Sequence, residues 1–385
     1  MRDKLAFLLA ALLLLGGCGE KGTFGSVREI DQLALVQTMG VDSTGNLCTV
    51  TVSTAAEEGQ VLLKTKAVTL SRALREMQDY TEKKYIFYGH TRHLLLGPEA
   101  ARDFFGECLE FVERDGELRM DTKLYALRDA SAEDAAALPG KGGESVGEAL
   151  DALEKDVALL SESHVFTCGE TAEALAERNC ALVSALRLAE PENILQGEDC
   201  RLLLSAGYAI IAEGALTGWL EPDLARGANL LMQQRGGDLI EAPDGQGSWF
   251  AAALTGSRAS FLPRYAEGEL TGLTIRLALC CTLSELHQTL DLREEETVRR
   301  MEEGIAEVEA WRVSEVLRIS QEMGADFCGL EKAVRRAAPL RFDRMKTPWR
   351  ERFTDLPIAV EISVKLARTY EGEIEPLRSG ERRAG

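Results

Sequence analysis

The N-terminal sequence MRDKLAFLLAALLLLGGC constrains this chain most, because it determines where the remaining residues must fold. Arg2 and Lys4 form a positive flank, and residues 5–15 are an unbroken apolar run. A positive flank followed by about 7–15 apolar residues is typical of a secretory signal. A helix that stays in a bilayer needs about 20 apolar residues, so we expect residues 1–17 to be removed. The mature chain should therefore fold outside the cytoplasm.

The signal ends in Leu15-Gly16-Gly17-Cys18, the apolar–small–small–Cys pattern of a bacterial lipobox. Small side chains let the backbone enter a peptidase groove, and a thiol is needed because the lipid is attached as a thioether. The pattern predicts cleavage between Gly17 and Cys18 and lipidation of Cys18. An ordinary signal peptide with a nearby cysteine is the alternative. Acyl chains contribute about 0.8 kcal/mol per buried methylene, so a doubly acylated Cys18 would hold the protein at a membrane.

The composition of the mature chain is that of an ordinary globular protein with an acidic surface. About 45% of the whole sequence is apolar and 28% is charged. Without residues 1–17 the chain has 42 Lys and Arg against 62 Asp and Glu, a formal charge of −20. Nucleic acid is not expected as a partner, because affinity for it comes largely from cations that neutralise phosphates. The most apolar later stretch, residues 202–220, is too polar to span a membrane because Glu213, Gly214 and Gly218 interrupt it.

Eight cysteines follow Cys18, at wide and irregular spacings: Cys48, Cys108, Cys168, Cys180, Cys200, Cys280, Cys281 and Cys328. No CxxC pair occurs among them, so a metal cluster is not favoured. Cys280 and Cys281 are neighbours in a strand-like run and should point to opposite faces. We interpret most of these cysteines as small buried apolar residues. One disulfide remains an alternative.

Hydrophobic periodicity predicts strands and helices mixed with hairpins. Strands are predicted at 33–42, 47–55, 84–89, 92–97, 122–127, 180–188, 202–211, 215–220, 248–254, 273–281 and 358–367. Helices are predicted near 70–80, from Pro98, at 146–160, at 223–232 and at 293–323. In the last of these, one apolar face is expected to contain Val298, Met301, Ile305, Val308 and Trp311. About 31 residues at 1.5 Å each would make this helix about 46 Å long.

These elements favour an α+β fold over a doubly wound sheet. We expect three mixed α/β domains in tandem, built mostly of antiparallel sheets packed with helices, with the one long helix in the C-terminal domain. Composition shifts at 129–144 and at 190–198 mark the predicted boundaries. The predicted segments are a signal peptide (1–17), an N-terminal domain with a tether (18–128), a middle domain (129–197), a C-terminal domain (198–372) and a flexible tail (373–385).

No pattern in the sequence predicts a catalytic, metal-binding or cofactor-binding site. His90 and His93 are predicted in a turn between strands, where a structural role is favoured over metal binding. HExxH and P-loop motifs are missing from the sequence, and no nucleophile elbow is predicted. The carboxylates at 294–296 and 302–303 are expected on the solvent side of the long helix. A glycosidase pair of carboxylates, which can be far apart in sequence, stays open as an alternative.

Short segments follow the lipobox in a fixed order. They are Arg28-Glu29-Ile30-Asp31-Gln32-Leu33-Ala34, Met39-Gly40-Val41-Asp42, Tyr88-Gly89-His90, Leu94-Leu95-Leu96-Gly97, Glu113-Arg114-Asp115 with Glu117 and Arg119, Ser205-Ala206-Gly207-Tyr208-Ala209, Gly218-Trp219-Leu220, Gln321 with Ala325-Asp326-Phe327, and Trp349 with Phe353. Behind a lipobox, this ordered set resembles the Ger(x)C family, the C subunits of spore nutrient-germinant receptors.

The resemblance implies a three-domain α+β lipoprotein on the outer surface of the spore's inner membrane. It also implies germinant receptor A and B membrane subunits as partners, and no catalytic residues. Only Cys18 is carried over as a functional position. The family usually has Trp-Asp directly after the lipidated cysteine, whereas Gly19-Glu20 follow it here. This difference predicts a longer tether without the membrane-proximal tryptophan.

Two other functions are alternatives. A solute-binding lipoprotein of a transporter would show two lobes with regular strand–helix alternation, which the predicted elements lack. A cell-wall hydrolase would release fragments from peptidoglycan.

Overall fold

The computed structural model describes residues 32–54, 61–81, 85–138, 145–189, 201–234, 236–286 and 292–367. Its strands are β1 (Leu33–Thr44), β2 (Leu47–Thr54), β3 (Val61–Ala67), β4 (Tyr85–Phe87), β5 (His93–Leu96), β6 (Lys123–Leu127), β7 (Cys180–Ala189), β8 (Leu202–Ala212), β9 (Ala215–Leu220), β10 (Asp238–Pro243), β11 (Trp249–Ala266), β12 (Glu269–Leu286) and β13 (Ile358–Ala367). This mixture of strands and helices confirms the predicted α+β class.

The helices lie between and after these strands. They are α1 (Leu70–Gln78), α2 (Pro98–Asp103), α3 (Phe105–Arg114), α4 (Ala132–Ala136), α5 (Val146–Leu160), α6 (Cys168–Arg178), α7 (Pro222–Met232), α8 (Glu295–Glu322), α9 (Leu330–Ala337), α10 (Pro339–Phe342) and α11 (Trp349–Phe353), with a 3₁₀ turn at Tyr88–His90. Pro98, Pro222 and Pro339 each stand in the first turn of a helix, where the fixed φ of proline is favourable and its missing N–H costs nothing.

Nine strands form the larger sheet, in the order β3-β2-β1-β5-β6-β7-β8-β9, with β4 beside β1. Its centre is parallel, since β1, β5, β6 and β7 run in one direction, and both sides are antiparallel. Strands from all three predicted segments, 18–128, 129–197 and 198–372, therefore share one sheet. The division into three domains stays a prediction about folding units.

The smaller sheet has the order β10-β11-β12-β13. β11 and β12 form a hairpin of two 18-residue strands, and β13 adds to it in parallel. The turn lies at Glu267 and Gly268, both with positive φ. The strands predicted at 248–254 and 273–281 cover the start of β11 and the middle of β12, so residues 255–266 of β11 and both ends of β12 were missed.

The long helix predicted at 293–323 is α8, 28 residues from Glu295 to Glu322, and this prediction is confirmed. The apolar face was predicted wrongly at its last position. Trp311 is 56% exposed, whereas Glu309 and Arg312 are buried. At 100° per residue, position 311 lies about 140° from position 298, while position 312 lies within about 40° of it. The polar pair therefore falls on the buried face.

Three groups of buried apolar side chains form the core. One lies between the larger sheet and α1–α3, one between the same sheet and α4–α5, and one between the smaller sheet and α7–α9. Six cysteines are buried in or beside these cores without a disulfide: Cys48, Cys108, Cys168, Cys180, Cys281 and Cys328. Cys280 is exposed, which confirms that it and Cys281 face opposite sides. Cys200 lies outside the described residues.

Candidate functional site

The predicted site residues, Gly17 and Cys18, lie outside the described residues. The described chain begins just before β1, and Leu33 therefore marks the end of the larger sheet that is nearest to Cys18 along the sequence. β7 is parallel to β1 through β5 and β6, so Cys180 lies at the same end. β8 is antiparallel to β7, with Ala212 paired to Cys180, which brings the turn after β8 to this end as well. We call this side, defined by Leu33, Cys180 and the turn at Glu213, the lower end.

The C-terminal part of the chain reaches the lower end through α11. Arg350 Nη2 lies 2.9 Å from Glu213 Oε1 in the β8–β9 turn. Gln321, at the end of α8, donates from Nε2 to the carbonyl oxygens of Phe353 and Leu356, each at 2.8 Å. These contacts place α11 against the lower end of the larger sheet.

Asp326 joins three segments beneath α11. Its carboxylate accepts hydrogen bonds from the backbone N–H groups of Leu330 and Glu331, each at 2.7 Å, and from Trp349 Nε1 at 3.1 Å. Burial raises the pKa of Asp326 to about 6, against the opposing effect of the hydrogen bonds. The carboxylate satisfies free N–H groups at the start of α9 and positions the indole of Trp349. Its contacts assign it a structural role.

Gly207 and Tyr208, from another segment of the resemblance, hold β8 against its neighbours. Gly207 has φ +80°, and a Cβ atom there would lie 2.0 Å from the carbonyl oxygen of Leu220. Tyr208 Oη accepts from the backbone N–H of His164 at 2.6 Å and donates to Asn229 Oδ1 at 2.5 Å. The wholly buried hydroxyl thus connects α7 to the loop before α6.

Glu117 likewise connects segments of the fold by hydrogen bonds, beside β4. It accepts from Tyr85 Oη at 3.0 Å and from the backbone N–H of Tyr88 at 3.3 Å. Tyr88 Oη in turn donates to the carbonyl oxygen of Leu74 in α1, at 3.1 Å. The residues that carried the resemblance therefore define the fold more than a reactive centre.

The two histidines predicted in one turn are placed in different elements. His90 ends the 3₁₀ turn, as expected, but His93 is a wholly buried residue of β5. His93 Nε2 lies 3.1 Å from Asp151 Oδ1 on α5, and Arg92 and Lys123 also pair with Asp151. Burial lowers the pKa of His93 to about 4. Within the described ranges, no group of three His, Cys, Asp or Glu side chains could hold a metal ion.

A buried charged cluster at the contact of α7, α8 and β10 was missed by sequence reasoning. Arg312 lies 2.6 Å from Asp223 Oδ1, 3.7 Å from Asp238 Oδ2 and in contact with Glu309, and Arg226 lies 3.2 Å from Asp238 Oδ1. The signal that could have revealed it was a Glu–Arg pair at i,i+3 on the apolar side of α8. Asp238 and Glu309 are buried, whereas Asp223 is about half exposed, so two buried carboxyl groups face the two guanidinium groups.

A cleft of about 500 Å³ opens to solvent between α5 and the strands β7 and β8. Arg128, Asp156, Glu162 and Arg187 line it, so it contains charges of both signs. Arg128 pairs with Glu221 at 2.7 Å. This cleft is the described feature that the solute-binding alternative would use.

Two family models match the chain in sequence order. One, described as the spore germination protein N-terminal domain, matches residues 26–188, and the other, described as spore germination B3/GerAC-like, C-terminal, matches residues 206–370. The chain belongs to the Ger(x)C family. The first match ends within β7 and the second begins within β8, so the larger sheet of this Ger(x)C protein contains strands from both family domains.

Among solved structures, one titled as the crystal structure of the GerBC protein is similar to this chain. The match has a TM-score of 0.54 and 17% sequence identity, and it covers 85% of this chain and 96% of that one. At this identity the likeness shows the fold, and it agrees with the family match. No curated protein matches the sequence at a significant level. In the part of the chain that the structure describes, no helix is long and apolar enough to cross a membrane.

Proposed function

We propose that this Ger(x)C protein is the non-catalytic, lipid-anchored C subunit of a membrane germinant receptor that triggers spore germination in response to nutrients. Its lipid would be attached to Cys18 and hold it on the outer face of the spore inner membrane. The germinant receptor A and B membrane subunits would be its partners. The observation that carries the proposal is the pair of family matches, at 26–188 and 206–370, directly behind a lipobox.

The chemistry of the described residues supports a structural subunit. Asp326, Glu117 and Tyr208 each bind backbone or side-chain groups of the protein itself. His93 is wholly buried against Asp151. An enzyme would expose polar groups of this kind to its substrate, whereas here they join elements of the fold.

Substitution of the anchoring thiol tests the proposal. Cys18→Ala should leave an unlipidated precursor that fails to incorporate a labelled fatty acid, because no sulfur remains to form the thioether. Nutrient-triggered germination should be weakened or lost, since an acyl chain at about 0.8 kcal/mol per methylene provides most of the membrane affinity. Fatty-acid labelling, the size of the product and the rate of nutrient germination are measured together.

The exposed Cys280 provides the matched control. Cys280→Ala removes an accessible thiol elsewhere in the chain and should leave both labelling and germination at wild-type levels. Normal labelling of the Cys18→Ala protein would show that the lipid is attached elsewhere. Normal germination by an unlabelled Cys18→Ala protein would contradict the anchored subunit.

A further inference from the structure

Residues 332–352 form a basic segment in an otherwise acidic protein. They contain eight Lys and Arg residues against Asp343 and Glu351, while the whole chain has a net charge of −19. The segment spans α9, α10 and α11. A local excess of positive charge on such a chain gives one surface an electrostatic preference opposite to that of the whole molecule.

Several of these cations have no partner of opposite charge. Arg336, Arg341, Arg344 and Lys346 are exposed, and none of them makes an ion pair within the described residues. Leu340 lies among them in α10 with 73% of its surface exposed, the largest exposure of a large apolar side chain in the described part of the chain. We call these five residues the basic ridge.

The short helix α10 of the basic ridge packs against the protein through a buried aromatic side chain. Phe342, on the inner side of α10, is buried with its ring 6.1 Å from that of Trp349. The guanidinium of Arg335 lies over the ring of Phe342, 4.7 Å from its centroid. Because Phe342 points inward, the short helix presents Leu340 and Arg341 to solvent.

The basic ridge lies toward the lower end, which is the end of the larger sheet nearest to Cys18 along the sequence. Arg350, four residues after Lys346, pairs with Glu213 in the turn at that end. Four strand spacings of about 4.8 Å separate β1 from β8, about 19 Å across the sheet. Cys18 and Leu33 are separated by 14 residues, and a chain of that length reaches at most about 50 Å. A bilayer that holds Cys18 is therefore within the same range as the ridge.

We infer that the basic ridge docks on anionic phospholipid headgroups of the bilayer, with Leu340 inserted among them. This inference rests on the proposed lipid anchor. Arginines around an exposed leucine are the composition of elements that lie at a membrane surface. The acidic remainder of the chain is repelled by the same headgroups, so docking through the ridge orients the tethered protein.

Hydrogen–deuterium exchange of the full-length lipidated protein tests the docking. The protein is reconstituted into vesicles of phosphatidylcholine alone or with added phosphatidylglycerol. Amides of residues 335–346 should exchange more slowly on the anionic vesicles, and high salt should abolish the difference by screening. In Arg336→Gln/Arg344→Gln/Lys346→Gln, the ratio of docked to undocked protein should fall roughly 100-fold, since each surface cation contributes about fivefold. Leu340→Ser should also reduce the protection.

The matched control removes three other exposed cations, in Arg187→Gln/Arg258→Gln/Lys365→Gln, and should keep the protection of wild type. Equal exchange on both vesicle types would overturn the docking. Protection that appears only when a membrane partner protein is added would overturn it in favour of a protein interface. Vesicle flotation tests the lipid anchor independently of the basic ridge. A protein that floats with neither vesicle type lacks the lipid, and this result contradicts the anchor and not the docking.

Discussion

Two carboxyl groups are buried where α7, α8 and β10 meet. Asp238 lies near Arg226 and Arg312, and Glu309 contacts Arg312, whereas Asp223 on the same cluster is about half exposed. Burial raises the pKa of Asp238 to about 7, although both arginines act to lower it. Burial also raises the pKa of Glu309. Asp238 therefore keeps its proton in the folded state up to about pH 7.

This proton predicts a pH dependence of stability. The pKa of Asp238 rises from an unfolded value near 3.8 to about 7 in the fold. Between these values the folded state binds more protons than the unfolded state, so the free energy of unfolding should fall as pH rises from about 4 to about 7. The Asp238 contribution should amount to up to about 4 kcal/mol, at about 1.4 kcal/mol per pKa unit.

Chemical denaturation of wild type and Asp238→Asn across this range measures the effect. The variant should lose the Asp238 part of the decline, because an amide does not titrate, and should keep the part that comes from Asp326 and Glu309. Asp355→Asn, at an exposed carboxylate, is the matched control and should keep it. Equal pH profiles for wild type and Asp238→Asn would show that Asp238 is ionised throughout.

Residue-level patterns in the sequence were sufficient where one local rule determines the outcome. Adjacent cysteines in a strand face opposite sides, which fixed Cys280 and Cys281. Local patterns failed where contacts with distant segments determine whether a residue is buried. Nothing near His93 in the sequence indicates that Asp151 will face it, and Arg312 is buried because Asp223 and Asp238 come from elements 70 or more residues away.

At the scale of elements, the β8–β9 hairpin depends on one glycine. Gly207→Ala should destabilise the protein by about 3 kcal/mol or more, because its Cβ would clash with the carbonyl oxygen of Leu220 and the residue has positive φ. Thermal or chemical unfolding measures the change.

The variant Gly268→Ala separates the cost of a positive φ from the cost of a steric clash. Gly268 also has positive φ, +86°, but nothing lies within 4 Å of a Cβ there, so the cost should be only about 1 kcal/mol. Similar losses for Gly207→Ala and Gly268→Ala would show that the contact with Leu220 relaxes freely.

Several elements with a clear periodic face were predicted, whereas several others were missed. The hairpin of β1 and β2, helix α5, helix α8 and strand β13 were all found from their patterns. β3 was missed because it is an edge strand with mostly exposed side chains, and α6 because it buries little besides Cys168 and Thr171. The half of β11 next to the turn, residues 255–266, was missed because its exposed positions carry mostly small and polar residues that give no apolar signal.

At the scale of the whole molecule, the sequence predicted three segments in tandem, whereas the strands of all three join one sheet. Composition shifts such as those at 129–144 and 190–198 carry no information about which strands pair. Parallel strands such as β5, β6 and β7 require long crossovers, so partners in the sheet lie far apart in sequence. The lipidation site at Cys18 rests on a linear motif and stays a prediction.

The proposed receptor role is tested most directly by deleting the gene and comparing spores given a panel of nutrients with spores given a trigger that bypasses nutrient receptors. The release of spore contents should be lost for at least one nutrient, should be normal with the bypassing trigger, and should be restored by the wild-type chain. A mutant spore that answers every nutrient at the wild-type rate would contradict the receptor subunit, and one that fails with both kinds of trigger would place the defect after the receptor.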